Sequence, residues 1–382
     1  MRPPESKLPS VGTTIFTVMS RLAEQHGAVN LSQGFPDFDP PAGLIERVEH
    51  YLGERCHQYP PMTGVASLRA AISGKLHDLY GVDVDPDTAV TVTSGATEAI
   101  FCAVQALVRP GDDVIVFDPA YDSYEPSVTL AGGRVVHLPL TLPGFGIDWD
   151  ALRSSLSART RLVMVNSPHN PSGALLTAAD LDRLAELLRP WDCYVLSDEV
   201  YEHIVFEGRR HATVLAQPEL AERSFAIFSF GKTYHATGWK LGYAVAPAPL
   251  TAELRKVHQY VTFASASPLQ YALADFLAAH PEHHLALPEF YQRKRDYFCA
   301  LLARTRFRFE PSAGTYFQLA DYSAVSDLPD VEFARRLTID HGVAVIPVSV
   351  FYRQPPASRL VRFCFAKEPK TLDVAAERLA QL

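Results

Sequence analysis

Lys232 follows the apolar run Phe225-Ala226-Ile227-Phe228 in the segment Ser229-Phe230-Gly231-Lys232-Thr233-Tyr234. Burial disfavours the ammonium form of a lysine, and the neutral amine left behind is a nucleophile that can form a Schiff base with a carbonyl compound. Read by itself, the segment fits an ordinary loop lysine after a strand equally well. The question is therefore whether the chain supplies further groups around one ligand.

Three segments do. After Val90-Thr91-Val92-Thr93 the chain reads Ser94-Gly95-Ala96-Thr97-Glu98-Ala99 and continues with a helical apolar pattern through Ile100, Val104 and Leu107. Small residues at a helix start let the N–H groups of Gly95, Ala96 and Thr97 approach an anion, which the helix dipole also favours. In the competing reading Ser94 and Thr97 are plain helix caps. Ser229 and Lys240 would add a hydroxyl and a cation to the anion site. Next, the run Tyr194-Val195-Leu196-Ser197 leads directly into Asp198, and a charge at the end of a buried strand requires a partner, such as a protonated ring nitrogen. Last, Tyr201 and Asn170, the latter in His169-Asn170-Pro171-Ser172-Gly173, can hydrogen-bond a phenolic oxygen, although a core aromatic and a turn starter are the simpler readings of each alone. An amine, an anion cradle, a carboxylate and a phenol-binding pair together describe a site for pyridoxal 5′-phosphate.

These residues, with Asn30-Leu31-Ser32-Gln33-Gly34-Phe35-Pro36-Asp37-Phe38, Gln58-Tyr59-Pro60-Pro61-Met62-Thr63-Gly64 and Val361-Arg362-Phe363-Cys364-Phe365-Ala366-Lys367, carry a family resemblance. From about Gly12 to the C-terminus the chain resembles class I, fold-type I pyridoxal-phosphate-dependent aminotransferases. It is most similar to methionine aminotransferases, with kynurenine aminotransferases and glutamine transaminase K as relatives. The resemblance implies that Lys232 holds the cofactor and moves the substrate α proton, and that Arg362 binds the substrate carboxylate together with the Gly34 N–H. A guanidinium fork suits a carboxylate in any case. It further implies that Tyr121 stacks on the cofactor ring and that Tyr59 reaches the phosphate in a neighbouring subunit, making a homodimer with shared active sites. The implied reaction moves the amino group of methionine, or another neutral or aromatic L-amino acid, to a 2-oxo acid in a ping-pong cycle. The alternatives are a lyase acting on cysteine S-conjugates and a kynurenine or glutamine transaminase.

Departures from the family pattern narrow the choice. The segment Gln259-Tyr260-Val261-Thr262-Phe263-Ala264 brings no cation to the substrate side chain, and Phe16, Phe263 and Tyr121 would line an apolar pocket that discriminates by size and shape, at about 1–3 kcal/mol per methylene. Ala264 and Phe16 stand where kynurenine-active relatives often carry histidine and tryptophan, which argues against kynurenine as the main substrate.

Positioning these groups takes a layered α/β fold. Seven strand candidates, Val90-Val92, Val114-Phe117, Arg134-Leu138, Leu162-Val165, Tyr194-Ser197, Phe225-Phe228 and Leu241-Ala246, are mostly separated by helical patterns, the signature of a mostly parallel sheet flanked by helices with ligands at the strands' carboxyl ends. Gly95, Tyr121, Asn170, Asp198 and Ser229 all fall just after such strands. The expected organisation is a large cofactor-binding domain over 46–287 and a small α+β domain built from 1–45 and 288–382, the latter with strands at Arg308-Glu310, Tyr316-Leu319, Val343-Ile346 and Leu360-Cys364.

Composition sets outer bounds. With 382 residues and 47% hydrophobic content the chain can bury two cores. A net charge of −8 gives no support to nucleic-acid or anionic-membrane partners. Five dispersed cysteines without a C-x-x-C pair, no apolar signal core in Met1-Arg2-Pro3-Pro4-Glu5-Ser6-Lys7 and no apolar run of membrane-spanning length point to a reduced, cytoplasmic protein. Asp198, Glu199, Glu202 and His203 match no common metal spacing, so no metal is expected. Glu282-His283-His284 reads as a solvated helix end. A cofactor-binding regulator on the same fold would need a basic DNA-binding domain, for which there is no room before Gly12 or after Leu382.

Overall fold

The computed structural model describes residues 5–382, so most of the Met1–Lys7 expectation lies outside the described residues. Strand β1 (Val29–Asn30) precedes the main sheet, which comprises β2 (Val90–Thr93), β3 (Asp113–Asp118), β4 (Arg134–Pro139), β5 (Thr160–Asn166), β6 (Tyr194–Asp198), β7 (Ser224–Ser229) and β8 (Gly242–Val245). Their order is β2-β8-β7-β6-β5-β3-β4. The pairs β4–β3, β3–β5, β5–β6 and β6–β7 are parallel, whereas β8 runs antiparallel to both neighbours. All seven expected strands are present in one sheet, their ends differing by a residue or two.

Most of these strands read as continuous apolar runs because helices cover both sheet faces. Leu68, Ile72 and Leu76 of the helix Ala66–Tyr80 pack on one face with Leu273 and Leu277 of Ser267–Ala279. Ala99, Ala103 and Val104 of the helix Ala96–Leu107 pack on the other with Leu250 and Leu254 of Ala248–Val261. The reversed strand fixes the site. Gly242, at the start of β8, pairs with Thr93 at the end of β2 and with Ser229 at the end of β7, so the turns after those strands meet at one edge.

A second core gathers Leu31, Tyr291, Phe298, Phe317 and Phe363. It contains β9 (Phe317–Asp321), β10 (Val343–Ala344), β11 (Ile346–Pro347) and β12 (Leu360–Cys364). Strands β11, β12 and β9 form an antiparallel sheet with β12 in the middle, and β10 pairs with β1. Two expectations need correcting. Arg308-Glu310 is no strand; it makes a single bridge from Arg308 to Asp321, and Pro311 next to it has no N–H to extend a ladder. The expected strand Val343-Ile346 is broken at Val345, because β1 takes its first half and β12 the second. The solvated-end reading of Glu282-His283-His284 fails too. Only Glu282 is exposed. The His284 ring is buried 5.0 Å from that of His203, and His283 Nε2 lies 3.0 Å from the Thr233 carbonyl, since this helix start packs beneath the turn that carries Lys232.

Candidate active site

Ser229 ends β7 and caps the short turn Phe230–Thr233, its hydroxyl accepting from the Lys232 N–H at 3.4 Å. Lys232 is half-buried. Its Nζ donates to the Gly34 carbonyl at 3.1 Å and lies 5.6 Å from the ring centroids of both Tyr201 and Tyr316. Burial is the main influence on the amine; Cys364 and Asp198 oppose it, Arg362 and Lys240 reinforce it, and the amine's pKa falls from 10.5 to about 8. A lowered pKa means that the nucleophilic form accumulates once pH passes the folded value. Reductive trapping of the cofactor-free protein by a simple aldehyde should therefore reach half its limiting rate near pH 8; a midpoint above pH 10 would show an ordinary, hydrated lysine.

Lys232 opens onto a cavity of about 260 Å³ that also collects Gly34, Gly95, Ala96, Thr97 and Tyr121, together with Asn170, Asp198, Tyr201, Ser229 and Lys240. At its anion end, Gly95 adopts φ +80° and the helix begins at Ala96 with no side-chain cap. The reading of Ser94 and Thr97 as caps therefore fails: the Ser94 N–H donates to Glu98 Oε2 at 2.7 Å, while the N–H groups of Ala96 and Thr97 find no acceptor among the described residues. A side chain at position 95 would meet Lys240 at 3.4 Å. Two free N–H groups, the Ser229 hydroxyl and the Lys240 ammonium form a donor set suited to a phosphate.

At the opposite end Asp198 is buried, accepts from the Tyr124 hydroxyl at 2.6 Å and has no cation within 4 Å among the described residues. Burial raises its pKa to about 6 despite the Tyr124 hydrogen bond. A buried carboxylate in that state suits a cationic ring nitrogen. Tyr121 lies at the cavity wall, its phenol pushed by burial to about 12.

Arg362 occupies the central strand β12 at 1% exposure. Its guanidinium donates to Asn170 Oδ1 at 2.7 Å and to the Ser32 carbonyl at 2.9 Å, lies over Phe317 at 3.9 Å and Phe16 at 5.2 Å, and leaves Nε without a partner. No carboxylate forms an ion pair with it among the described residues. A buried cation so placed is held ready for an anionic ligand. Because Asn170 spends its oxygen on Arg362, its NH₂ remains free to donate into the cavity.

Sequence reading missed Tyr124, Asn166, Ser32 and Tyr316. Tyr316 donates to the Gly34 carbonyl at 2.6 Å, and Asn166 receives the Asn170 N–H at 2.8 Å. Asn166 ends β5, a position that could have flagged it. Two expected residues stand apart. Tyr59 is 85% and Phe263 42% exposed; their rings meet edge to face at 5.5 Å on the surface, away from this cavity. The acidic cluster also disperses: Glu199 binds Ser197, His211 and the Val214 N–H, while Glu202 binds Lys75, Tyr80 and His203.

The family model for aminotransferase class I and II matches residues 26–379. The chain belongs to this family. A methionine aminotransferase of Escherichia coli strain K12 is 56% identical over 99% of this chain and 98% of its own length. An Escherichia coli crystal structure reported with a methionine aminotransferase function superposes at TM-score 0.98 over the full length of both chains. A kynurenine–oxoglutarate transaminase 3 of mouse is 35% identical over 97% of this chain and 88% of its own. This class I and II aminotransferase is thus an α/β enzyme of fold type I that transfers amino groups.

Proposed function

We propose that this aminotransferase uses pyridoxal 5′-phosphate, takes methionine and other neutral or aromatic L-amino acids as donors and a 2-oxo acid as acceptor, and works as a homodimer with shared sites. The observation that carries the reading is Arg362: a buried, carboxylate-free guanidinium set among Phe16, Phe317 and Phe351 and bonded to Asn170 of the cavity wall, while no arginine lines the cavity itself among the described residues. One carboxylate is provided for and the surroundings are apolar. The exposed aromatics Tyr59, Phe263 and Tyr260 support a subunit interface that lends groups to a neighbour. The two cores support a division into a large domain over 46–287 and a small one from 1–45 and 288–382, with Leu44 packing into the first core and Leu287, Tyr201, Ile204 and Phe206 into the second. Five free cysteines, and no helix long and apolar enough to cross a membrane among the described residues, support a cytoplasmic setting.

When bound, pyridoxal phosphate supplies an electron sink for the substrate's α carbon. The chain's own groups do the rest. Arg362, Asn170 and the Gly34 N–H would orient the substrate carboxylate; the Gly34 carbonyl aims Lys232 Nζ, which would take and return the α proton; Asp198 would face the ring nitrogen as its carboxylate partner; and Ala96, Thr97, Ser229 and Lys240 would hold the phosphate.

A panel of amino donors against several 2-oxo acids tests this. A side-chain carboxylate would be buried without a partner, at a cost of several kcal/mol, so methionine and phenylalanine should exceed aspartate and glutamate at least about a hundredfold in kcat/KM. Product should form without ammonia. Aspartate matching methionine would remove the apolar-pocket argument, and stoichiometric ammonia release would favour the cysteine-conjugate lyase.

A further inference from the structure

The Glu98 and His258 side chains are buried and take no part in the chemistry above, yet together they join Ser94, which opens the anion turn, to Met62. Glu98 lies one residue past Thr97, and His258, at 0% exposure, lies on the helix Ala248–Val261. Glu98 Oε2 accepts from the Ser94 N–H at 2.7 Å, and its Oε1 faces His258 Nδ1 at 2.6 Å and the Cys102 thiol at 3.2 Å. On the other side of the imidazole, Nε2 is 2.9 Å from the Met62 carbonyl. That carbonyl can only accept, so Nε2 carries a proton, and a second proton lies on the line between Nδ1 and Oε1. Glu98, Cys102 and His258 bring ligand atoms within 4.8 Å of one another, but both ring nitrogens are already committed, which leaves a metal ion no histidine ligand.

What the imidazole joins gives it a role. Through Glu98 it holds Ser94 and hence the start of the turn Gly95-Ala96-Thr97. Through Met62 it holds the segment that carries Tyr59 three residues earlier. Its own carbonyl accepts from the N–H groups of Thr262 and Phe263, each at 3.1 Å, which fixes the lobe where Phe263 meets Tyr59. We propose that His258 is a positioning residue that ties the phosphate turn of its own site to the aromatic pair this chain lends to the neighbouring subunit's site. The proposal rests on the shared-site homodimer argued above. One rigid ring with two directed hydrogen bonds makes order in either element favour order in the other, so cofactor capture in one site firms the surface that completes the second, and the coupling is reciprocal.

Two amide substitutions separate the arms. Asparagine places its NH₂ near the position of Nδ1 and can keep the Glu98 bond; glutamine reaches the position of Nε2 and can keep the Met62 bond. The readout is the dissociation constant for pyridoxal phosphate, followed by the absorbance of the lysine-bound cofactor in heterodimers with a Lys232→Ala chain, where only one site gives that signal. With the substitution on the chain that keeps Lys232, His258→Gln should weaken cofactor binding at least about tenfold, the worth of a charge-assisted hydrogen bond, and His258→Asn should do so far less. With the substitution moved onto the Lys232→Ala chain the ranking should reverse. Identical effects of the two amides in both arrangements, in dimers of normal thermal stability, would overturn the proposal. A heterodimer of Lys232→Ala with Tyr59→Ala serves as control: if confirmed heterodimers regain no site, the shared-site reading falls and with it the lending arm, while the Gln-versus-Asn difference in the own-chain arrangement still decides the phosphate-turn arm.

Discussion

Replacing Lys232 by alanine should abolish turnover while leaving a folded protein. In the proposed mechanism the amine has two tasks at one atom: it would hold the cofactor, and it would move the proton at the substrate α carbon from a position set by the Gly34 carbonyl at 3.1 Å. Loss of positioned general acid–base catalysis alone costs about 10²–10⁴-fold, and loss of the nucleophile adds to that. The pocket has lowered the amine's pKa to about 8, so removing this side chain relieves a desolvation cost and should not unfold the protein. A stopped-flow half-reaction with methionine, after loading with cofactor, would show the loss directly, along with disappearance of the lysine-bound absorbance. Lys240→Ala, at the proposed phosphate end, should loosen cofactor retention without that loss. Full turnover by Lys232→Ala would end the proposed mechanism.

The second large effect is expected at Asp198. In Asp198→Ala the phosphate contacts proposed at Ala96, Thr97, Ser229 and Lys240 would remain, so cofactor retention should change modestly. Turnover should fall by about 10²–10³-fold, because the carboxylate matters most when the ring must accept electrons, and removing one group aimed at developing charge typically costs that much. Tyr124, whose hydroxyl donates to Asp198 at 2.6 Å, can then give a hydrogen bond but cannot supply the negative charge. Asp198→Asn, which keeps the shape, should be nearly as poor. Comparing kcat with the cofactor dissociation constant separates the two roles, and activity within a few fold of wild type would rule out the proposed one.

The main sheet was legible because a strand buried on both faces is an apolar run, and the polar residue that ends it stands out, as Asp198 and Ser229 do; Asn166, which ends β5 in the same way, was passed over. What the sequence hid are contacts between residues far apart in the chain. Nothing local marks Tyr124 as the partner of Asp198, 74 positions away, or His258 as the partner of Glu98, 160 positions away. His284 was misread because a charged and polar run looks solvated until a neighbouring turn is laid over it. Val343-Ile346 looked like one strand because its apolar pattern is unbroken; the change of partner at Val345 is a tertiary choice.

The reversed strand β8 also bears on how the molecule comes into being. In the sheet β2 touches only β8, whose residues follow some 150 positions later, while β3 to β7 can align beside one another in between. Closing so long a loop is slow relative to forming local structure. Until Gly242–Val245 has been made, an emerging polypeptide therefore lacks the strand that joins the Gly95 turn to Ser229. If the turn after β2 seats the cofactor as proposed, capture has to wait for the large sheet to be completed, and cofactor uptake would then report finished assembly.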